Sequence, residues 1–198
     1  PLPEQPHALA CPVDGTVCQI GRIQSDLLMQ AKGHQYTLNS LAGTTGKGFE
    51  DGDFCTIYLA PSNYHRIHLP CDGTLVETRA IPGALFSVNA VTEGGIPGLF
   101  CRNERLVCRF DTGHGPMLLV LVGALIVASI ETVWAGPASP YRKEIVTQHE
   151  QHFKRGDEIG RFLLGSTVIC CFAKDAVTLA EHLDAGTGVR LGETVGSG

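Results

Sequence analysis

The residues most able to do chemistry fall in three places: the Gly165-Ser166 step, the segment from Tyr64 to His68, and Asp14. Ser166 sits one peptide bond after the unhindered carbonyl of Gly165, inside Arg161-Phe162-Leu163-Leu164-Gly165-Ser166-Thr167-Val168-Ile169. Two readings fit that stretch. One is a strand kinked at glycine, the residue that tolerates positive φ and close backbone approach. The other is a scissile bond whose own serine is the nucleophile. Most Gly-Ser steps are turns, so spacing alone favours the kink. A serine hydroxyl is a weak nucleophile and needs a base, and that base needs an orienting group.

The densest polar run in the chain is Ala60-Pro61-Ser62-Asn63-Tyr64-His65-Arg66-Ile67-His68-Leu69-Pro70, framed by proline at both ends. On a helical turn His65 and His68 would share a face; on a strand they would point to opposite faces. Either pairing suits general acid and base work. A metal reading is also open, although the H-E-x-x-H form is absent and no third ligand declares itself. Asp14, followed by Gly15, falls at the mouth of a strand, where such a carboxylate ordinarily bonds nearby backbone amides.

These groups must be positioned by a β-rich scaffold. The chain has 198 residues, 43% of them hydrophobic, which suits one domain with a substantial core; its 24 glycines and 11 prolines punctuate many short Val/Ile/Leu/Thr runs. A net charge of −5 gives no basic footprint, which sets nucleic-acid binding aside. The eight cysteines form no C-x-x-C pair and read as buried reduced thiols, with adjacent Cys170 and Cys171 on opposite faces of a strand. Met117 to Ile130 is too short for the roughly 20 residues of a bilayer-spanning helix and reads as a buried strand or strand pair bent at Gly123. Thr44 to Asp53 lacks P-loop spacing and reads as a hairpin connection. Asn103-Glu104-Arg105 reads as a turn with a solvated ion pair, and Pro137 to Gly156 as an irregular polar surface. Pro1 to Ala10 has neither the basic start nor the apolar stretch of a signal peptide, and the missing initiating Met is read as a processing boundary.

Taken together, Asp14-Gly15, Tyr58-Leu59-Ala60-Pro61 with Tyr64-His65-Arg66-Ile67-His68, Phe86-Ser87-Val88-Asn89, Ile130-Glu131-Thr132-Val133-Trp134-Ala135-Gly136 and Leu164-Gly165-Ser166-Thr167 resemble, in collinear order, the phosphatidylserine decarboxylases. The resemblance runs from about Cys11 to Gly192. It implies a self-processing proenzyme in which Ser166 attacks the Gly165 carbonyl, β-elimination follows, and ammonia is lost to leave a covalent pyruvoyl cofactor on the residue that was Ser166. The products would be a β chain of residues 1–165 and an α chain of residues 166–198, which stay associated. The family's Asp-His-Ser processing triad falls on Asp14, His68 and Ser166. His65 would serve substrate handling and protonation after the pyruvoyl group forms a Schiff base with phosphatidylserine and carbon dioxide leaves.

The resemblance further implies a homodimer bound peripherally to a bacterial cell membrane or the mitochondrial inner membrane. Phe86 and Val88 are candidates for lining the lipid's approach. No metal enters this scheme. The family's apolar or amphipathic N-terminal region has no counterpart among these residues, so membrane docking is expected from other sequence or from loops. The expected fold is mainly β, a single sandwich or barrel-like domain with a few short helices. Two rivals carry different functions: a noncatalytic β-rich carrier in which Gly165-Ser166 is only a kink, and a metallohydrolase built on His65, His68 and Asp14.

Overall fold

The computed structural model describes residues 2–88, 90–124, 130–136, 139–163 and 166–198. Its centre is the Ser166–Phe172 strand, STVICCF, in which every residue is buried. It is flanked on one side by Asp53–Leu59 and on the other by Gly115–Val122, both antiparallel, with Ser166 opposite Leu59 and Thr167 opposite Val122. Continuing outward, the eight-stranded sheet runs Ile145–Phe153, Gly73–Ile81, Arg105–Thr112, Gly115–Val122, Ser166–Phe172, Asp53–Leu59, Gly15–Arg22, Gly188–Val189, antiparallel throughout.

Alternation along these strands builds two cores. Ile57, Leu59, Leu119, Leu121, Val168 and Cys170 point to one face, where they pack with Leu9, Ile67, Ile130, Ile159 and Phe162 from two three-stranded sheets. Phe54, Val107, Leu118, Val120, Ile169 and Cys171 point to the other, against Leu28 and Tyr36 of a hairpin and Leu38, Leu41, Leu99 and Phe100 of short helices. A central strand covered on both sides has no polar face to show, which is why STVICCF reads as a continuous apolar run. Cys170 and Cys171 fall into separate cores, and all eight cysteines are free thiols.

The chain is thus mainly β, in stacked layers whose sheets stay open rather than closing as a barrel. Three local expectations change. Ile145–Phe153, within the stretch expected to be irregular, is a nine-residue edge strand paired with Gly73–Ile81; polar residues fill both of its faces between Thr147 and His152, and the exposed Val146 departs from an apolar-in, polar-out pattern. Asn103, Glu104 and Arg105 are all buried rather than solvated. Thr44–Asp53 is no hairpin connection: a short 3-10 turn over Gly43–Gly46 follows the Leu38–Ala42 helix, and Thr45 is bound by Arg79 and Glu77 of the sheet.

One small sheet concerns the site directly. Arg66–His68, Glu158–Phe162 and Ile130–Thr132 pair antiparallel, with Glu158–Phe162 in the middle. Glu158–Phe162 belongs to this sheet and Ser166–Phe172 to the large one, so the chain changes sheets between them. Leu164 and Gly165, the latter the expected cleavage residue, lie outside the described residues.

Candidate active site

The histidine segment enters through a fixed turn. Asn63 Oδ1 accepts the Ala60 N–H at 2.8 Å while the Asn63 N–H returns to the Ala60 carbonyl at 2.9 Å, a side-chain turn that a proline-framed Asn favours. From there Arg66–His68 is strand, with Arg66 opposite Arg161 and Ile67 opposite Gly160, and the pairing reaches one residue earlier, where the Phe162 N–H donates to the His65 carbonyl at 3.0 Å. The strand alternative for the two histidines is therefore the one adopted. Ile67 is wholly buried and Arg66 exposed, which puts His65 on the inner side with Ile67 and leaves Tyr64, Arg66 and His68 on the outer side. Tyr64 and His68 stack there at 5.9 Å between ring centroids.

Carbonyl partners set the protons on both rings. His68 Nδ1 lies 2.7 Å from the Gly156 oxygen, and a carbonyl only accepts, so Nδ1 carries the hydrogen and Nε2 holds the lone pair. That lone pair meets the Tyr64 hydroxyl at a long 3.4 Å. His65 is the mirror case: Nε2 donates to the Pro61 oxygen at 3.2 Å, so Nδ1 holds the lone pair, and Nδ1 is buried without a hydrogen-bond partner. Such an orphan acceptor is costly to bury, and costly groups are kept where chemistry uses them.

Gly156 reaches His68 because it takes φ +84 in the turn from Lys154 to Asp157, closed by Lys154 N–H to Asp157 Oδ2 at 2.7 Å. The His68 backbone is fixed separately, its N–H donating to the Pro12 oxygen at 2.9 Å. Two residues on, Asp14 opens the Gly15–Arg22 strand, where a Cβ on Gly15 would stand 2.3 Å from the Tyr58 oxygen. The Asp14 carboxylate accepts the Leu191 N–H at 2.7 Å, tying residues far apart in sequence rather than capping a local turn.

Ser166 is 2% exposed and shares its face of the strand with Val168 and Cys170, so its side chain projects into the layer between sheets that also holds Phe162, the residue whose N–H donates to the His65 carbonyl. Asp14 and His68 are joined through backbone at Pro12, while their side chains bond Leu191 on one hand and Gly156 and Tyr64 on the other. Phe86 and Val88 belong to the other core: Phe86 is held by Asn103 through its N–H at 3.1 Å and its carbonyl at 2.9 Å, with the Arg102 guanidinium 4.8 Å above its ring. Among the described residues no three His, Cys, Asp or Glu side chains converge as metal ligands. Nothing in the sequence pattern marks the Gly156 carbonyl or Tyr64 as partners of His68. Lys154-Arg155-Gly156-Asp157 reads as a turn from its sequence, and it is one, but residue type does not say that its Gly156 carbonyl meets His68.

A family profile for phosphatidylserine decarboxylase matches residues 1–197. A phosphatidylserine decarboxylase proenzyme of Pseudomonas entomophila is 50% identical over 98% of this chain and 71% of its own length. That of Acidovorax ebreus is 52% identical over 95% of this chain and 69% of its own, and that of Pseudomonas fluorescens 49% identical over 100% and 72%.

Proposed function

The chain belongs to the phosphatidylserine decarboxylase family, and we propose that it cuts itself between Gly165 and Ser166 and then decarboxylates phosphatidylserine to phosphatidylethanolamine. The observation that carries this reading is a serine at the first position of a fully buried central strand, directly after a change of sheet, in a core that also holds Phe162, the backbone partner of a histidine whose lone pair is buried and unpartnered.

In the proposed cleavage a base takes the Ser166 proton as Oγ adds to the Gly165 carbonyl carbon. The C–N bond then breaks, the Ser166 nitrogen takes a proton, and an ester remains. Loss of the Ser166 Cα proton expels the Gly165 carboxylate; water then replaces ammonia on the resulting dehydroalanine to give the pyruvoyl end. We assign the first proton to His68 Nε2, whose tautomer is set by Gly156; because the ring stacks with Tyr64 on the outer side of its strand, the assignment requires it to give up the long Tyr64 bond and turn towards the layer that holds Ser166. Asp14 completes the triad, which requires its carboxylate to leave the Leu191 N–H.

The residues present fit a pyruvoyl group: its source, Ser166, is buried opposite Leu59 on the face of Val168, in a core that also holds Ile67 and Phe162, and His65, the backbone partner of Phe162, has a buried and open Nδ1. Such a group supplies a ketone that binds the substrate amine and takes up the electrons left when carbon dioxide departs. His65 then has the protonation to perform, with Pro61 holding its opposite nitrogen and so fixing the ring. The apolar walls exclude water that would compete for the site. Phe86 and Val88, packed in the other core, carry no substrate contact in this proposal. The membrane surface and a second copy of the chain remain as partners, and among the described residues no helix is long and apolar enough to cross a bilayer.

Intact mass under denaturing conditions tests the cleavage beside Ser166→Ala. Two chains meeting at Gly165 and Ser166, the smaller with a blocked, carbonyl-reactive N-terminus, are expected; the alanine variant stays whole. A wild-type chain that remains single after long incubation would return Gly165-Ser166 to a kink in a carrier.

A further inference from the structure

The outer face of the three-stranded sheet is organised by register. Arg66 and Arg161 are cross-strand partners, and Glu131 is the partner of Arg161 on its other side, so Glu131, Arg161 and Arg66 form one row across three strands. Like charges directly opposite are ordinarily unfavourable. Here each arginine is held by its own glutamate, Arg161 to Glu131 at 2.6 Å and Arg66 to Glu158 at 2.6 Å, with nearly half of each arginine side chain still exposed. A guanidinium has five N–H donors, and those not used by the glutamates reach solvent.

Antiparallel pairing continues one step beyond that row. Phe162 meets His65 and both turn inward; the same count then sets Leu163 beside Tyr64, turned outward like the arginines. Exposure bears this out, at 46% for Leu163 and 43% for Tyr64. Val133, 50% exposed, follows the third strand at the opposite end, where a shallow cavity of about 180 Å³ opens beside Arg161, Glu131 and Glu158. Of the five large apolar side chains exposed among the described residues, three therefore border this one small sheet. The inner side of the same sheet carries His65.

We propose that this face is the surface by which the protein lies on a phospholipid bilayer, Leu163, Tyr64 and Val133 entering the headgroup region and Arg66 and Arg161 donating to lipid phosphates. Apolar side chains beside arginine are the composition of an interfacial contact, and the spare guanidinium donors complement phosphodiester oxygens. With a net charge of −5, long-range attraction to an anionic bilayer cannot supply the docking, which leaves local insertion to do so. The inference rests on the decarboxylase reading for its choice of partner: a substrate anchored in a bilayer has to be taken up close to Ser166, and this face lies over that layer.

The test uses the full purified chain and vesicles of phosphatidylcholine and phosphatidylserine in equal parts. The double variant Leu163→Ser/Val133→Ser is expected to partition to vesicles about tenfold more weakly and to lose turnover of vesicle substrate in step. Its self-cleavage, and its turnover of a short-chain phosphatidylserine dispersed as monomers, should stay within about twofold of wild type. Leu163→Trp should bind more tightly, with emission shifted to the blue on adding vesicles. Unchanged partitioning of the double variant would overturn the proposal. So would equal loss of short-chain turnover, which would make the face part of the catalytic pocket, or conversion of a wild-type dimer to a monomer at constant vesicle binding, which would assign it to a second copy. Partitioning is read without catalysis. A chain that binds vesicles through this face but releases carbon dioxide from neither substrate would sink the decarboxylase reading and leave the face standing.

Discussion

A neutral imidazole has one proton to give and one lone pair to offer, and a backbone carbonyl beside one nitrogen decides which is which. In this protein the Pro61 and Gly156 carbonyls make opposite choices for His65 and His68, so two histidines three residues apart present different nitrogens in different directions. If His68 is the processing base and His65 the later proton carrier, their substitutions separate two events. His68→Gln should leave one uncut chain over times in which wild type completes cleavage. His65→Gln should be cut but decarboxylate about 10²- to 10⁴-fold more slowly. Equal loss of cleavage in both variants would sink that division. Asp14 needs a subtler substitution, because its carboxylate already holds the Leu191 N–H at 2.7 Å. An asparagine oxygen can keep that bond but brings no charge to an imidazolium. Asp14→Asn is therefore expected to slow self-cleavage about 10²-fold or more, followed by gel densitometry, with unchanged thermal stability. Normal cleavage in the variant would reduce Asp14 to a tether.

Elements were legible where their own periodicity announced them. Asp53–Leu59 and Ser166–Phe172 stand where apolar β-prone runs put them, as does Gly115–Val122 for the first part of the Met117–Ile130 run, whose residues 125–129 lie outside the described residues, and Cys170 and Cys171 face opposite cores as a period of two requires. The two histidines could be read as a candidate pair, yet which carbonyl each ring meets depends on the Lys154–Asp157 turn, remote in sequence. Asn103-Glu104-Arg105 shows the same limit in another form. Three polar residues in a row look solvated, but their partners come from elsewhere: Arg105 donates to the carbonyls of Leu41, Ser40, Cys101 and Asn103, and Glu104 accepts the Tyr141 N–H and the Ser139 hydroxyl. Asn103 in turn joins Phe86 to Gly123. Burial holds the Arg105 guanidinium below its usual range, and the carbonyl cage compensates the charge. Arg105→Met keeps the stem and strips four carbonyls of their donor. It should cost roughly 3 kcal/mol in urea unfolding. A cost within experimental error would mean that water replaces the guanidinium freely.

Over the whole molecule, the segment after Ser166 is woven through the rest rather than appended to it. Ser166–Phe172 lies between two strands of the preceding segment, Gly188–Val189 pairs with Gly15–Arg22, and Thr194–Ser197 pairs with Ala8–Ala10. Cutting one peptide bond at the change of sheet removes no ladder between those partners. The two chains should therefore elute together on a sizing column and part only in denaturant; dissociation in plain buffer would contradict this pairing.

The same enclosure sets a pH dependence. Burial pushes Cys11, Cys55 and Cys171 from the ordinary thiol value of 9.0 up to about 12, Cys71 to about 11, and Cys108 and Cys170 well above 9.0. Well below pH 9 these thiols are protonated whether the chain is folded or not, and their contribution is complete. Above it the unfolded chain releases protons that the folded chain keeps, so the unfolded state binds fewer and stability falls as pH rises towards the folded values. Buried Tyr36 and Tyr141, also pushed upward, add to the loss above their own ordinary value of 10.0. Urea midpoints are expected to be level between pH 6.5 and 7.5, to begin to fall above pH 8 and to decline steadily between pH 9 and 11, with an unchanged slope of free energy on urea. The six thiols named should resist a thiol reagent at pH 8 until the chain is unfolded. A midpoint that stays level to pH 11, or rapid labelling of those thiols in the folded protein, would mean that the two cores admit water and hydroxide.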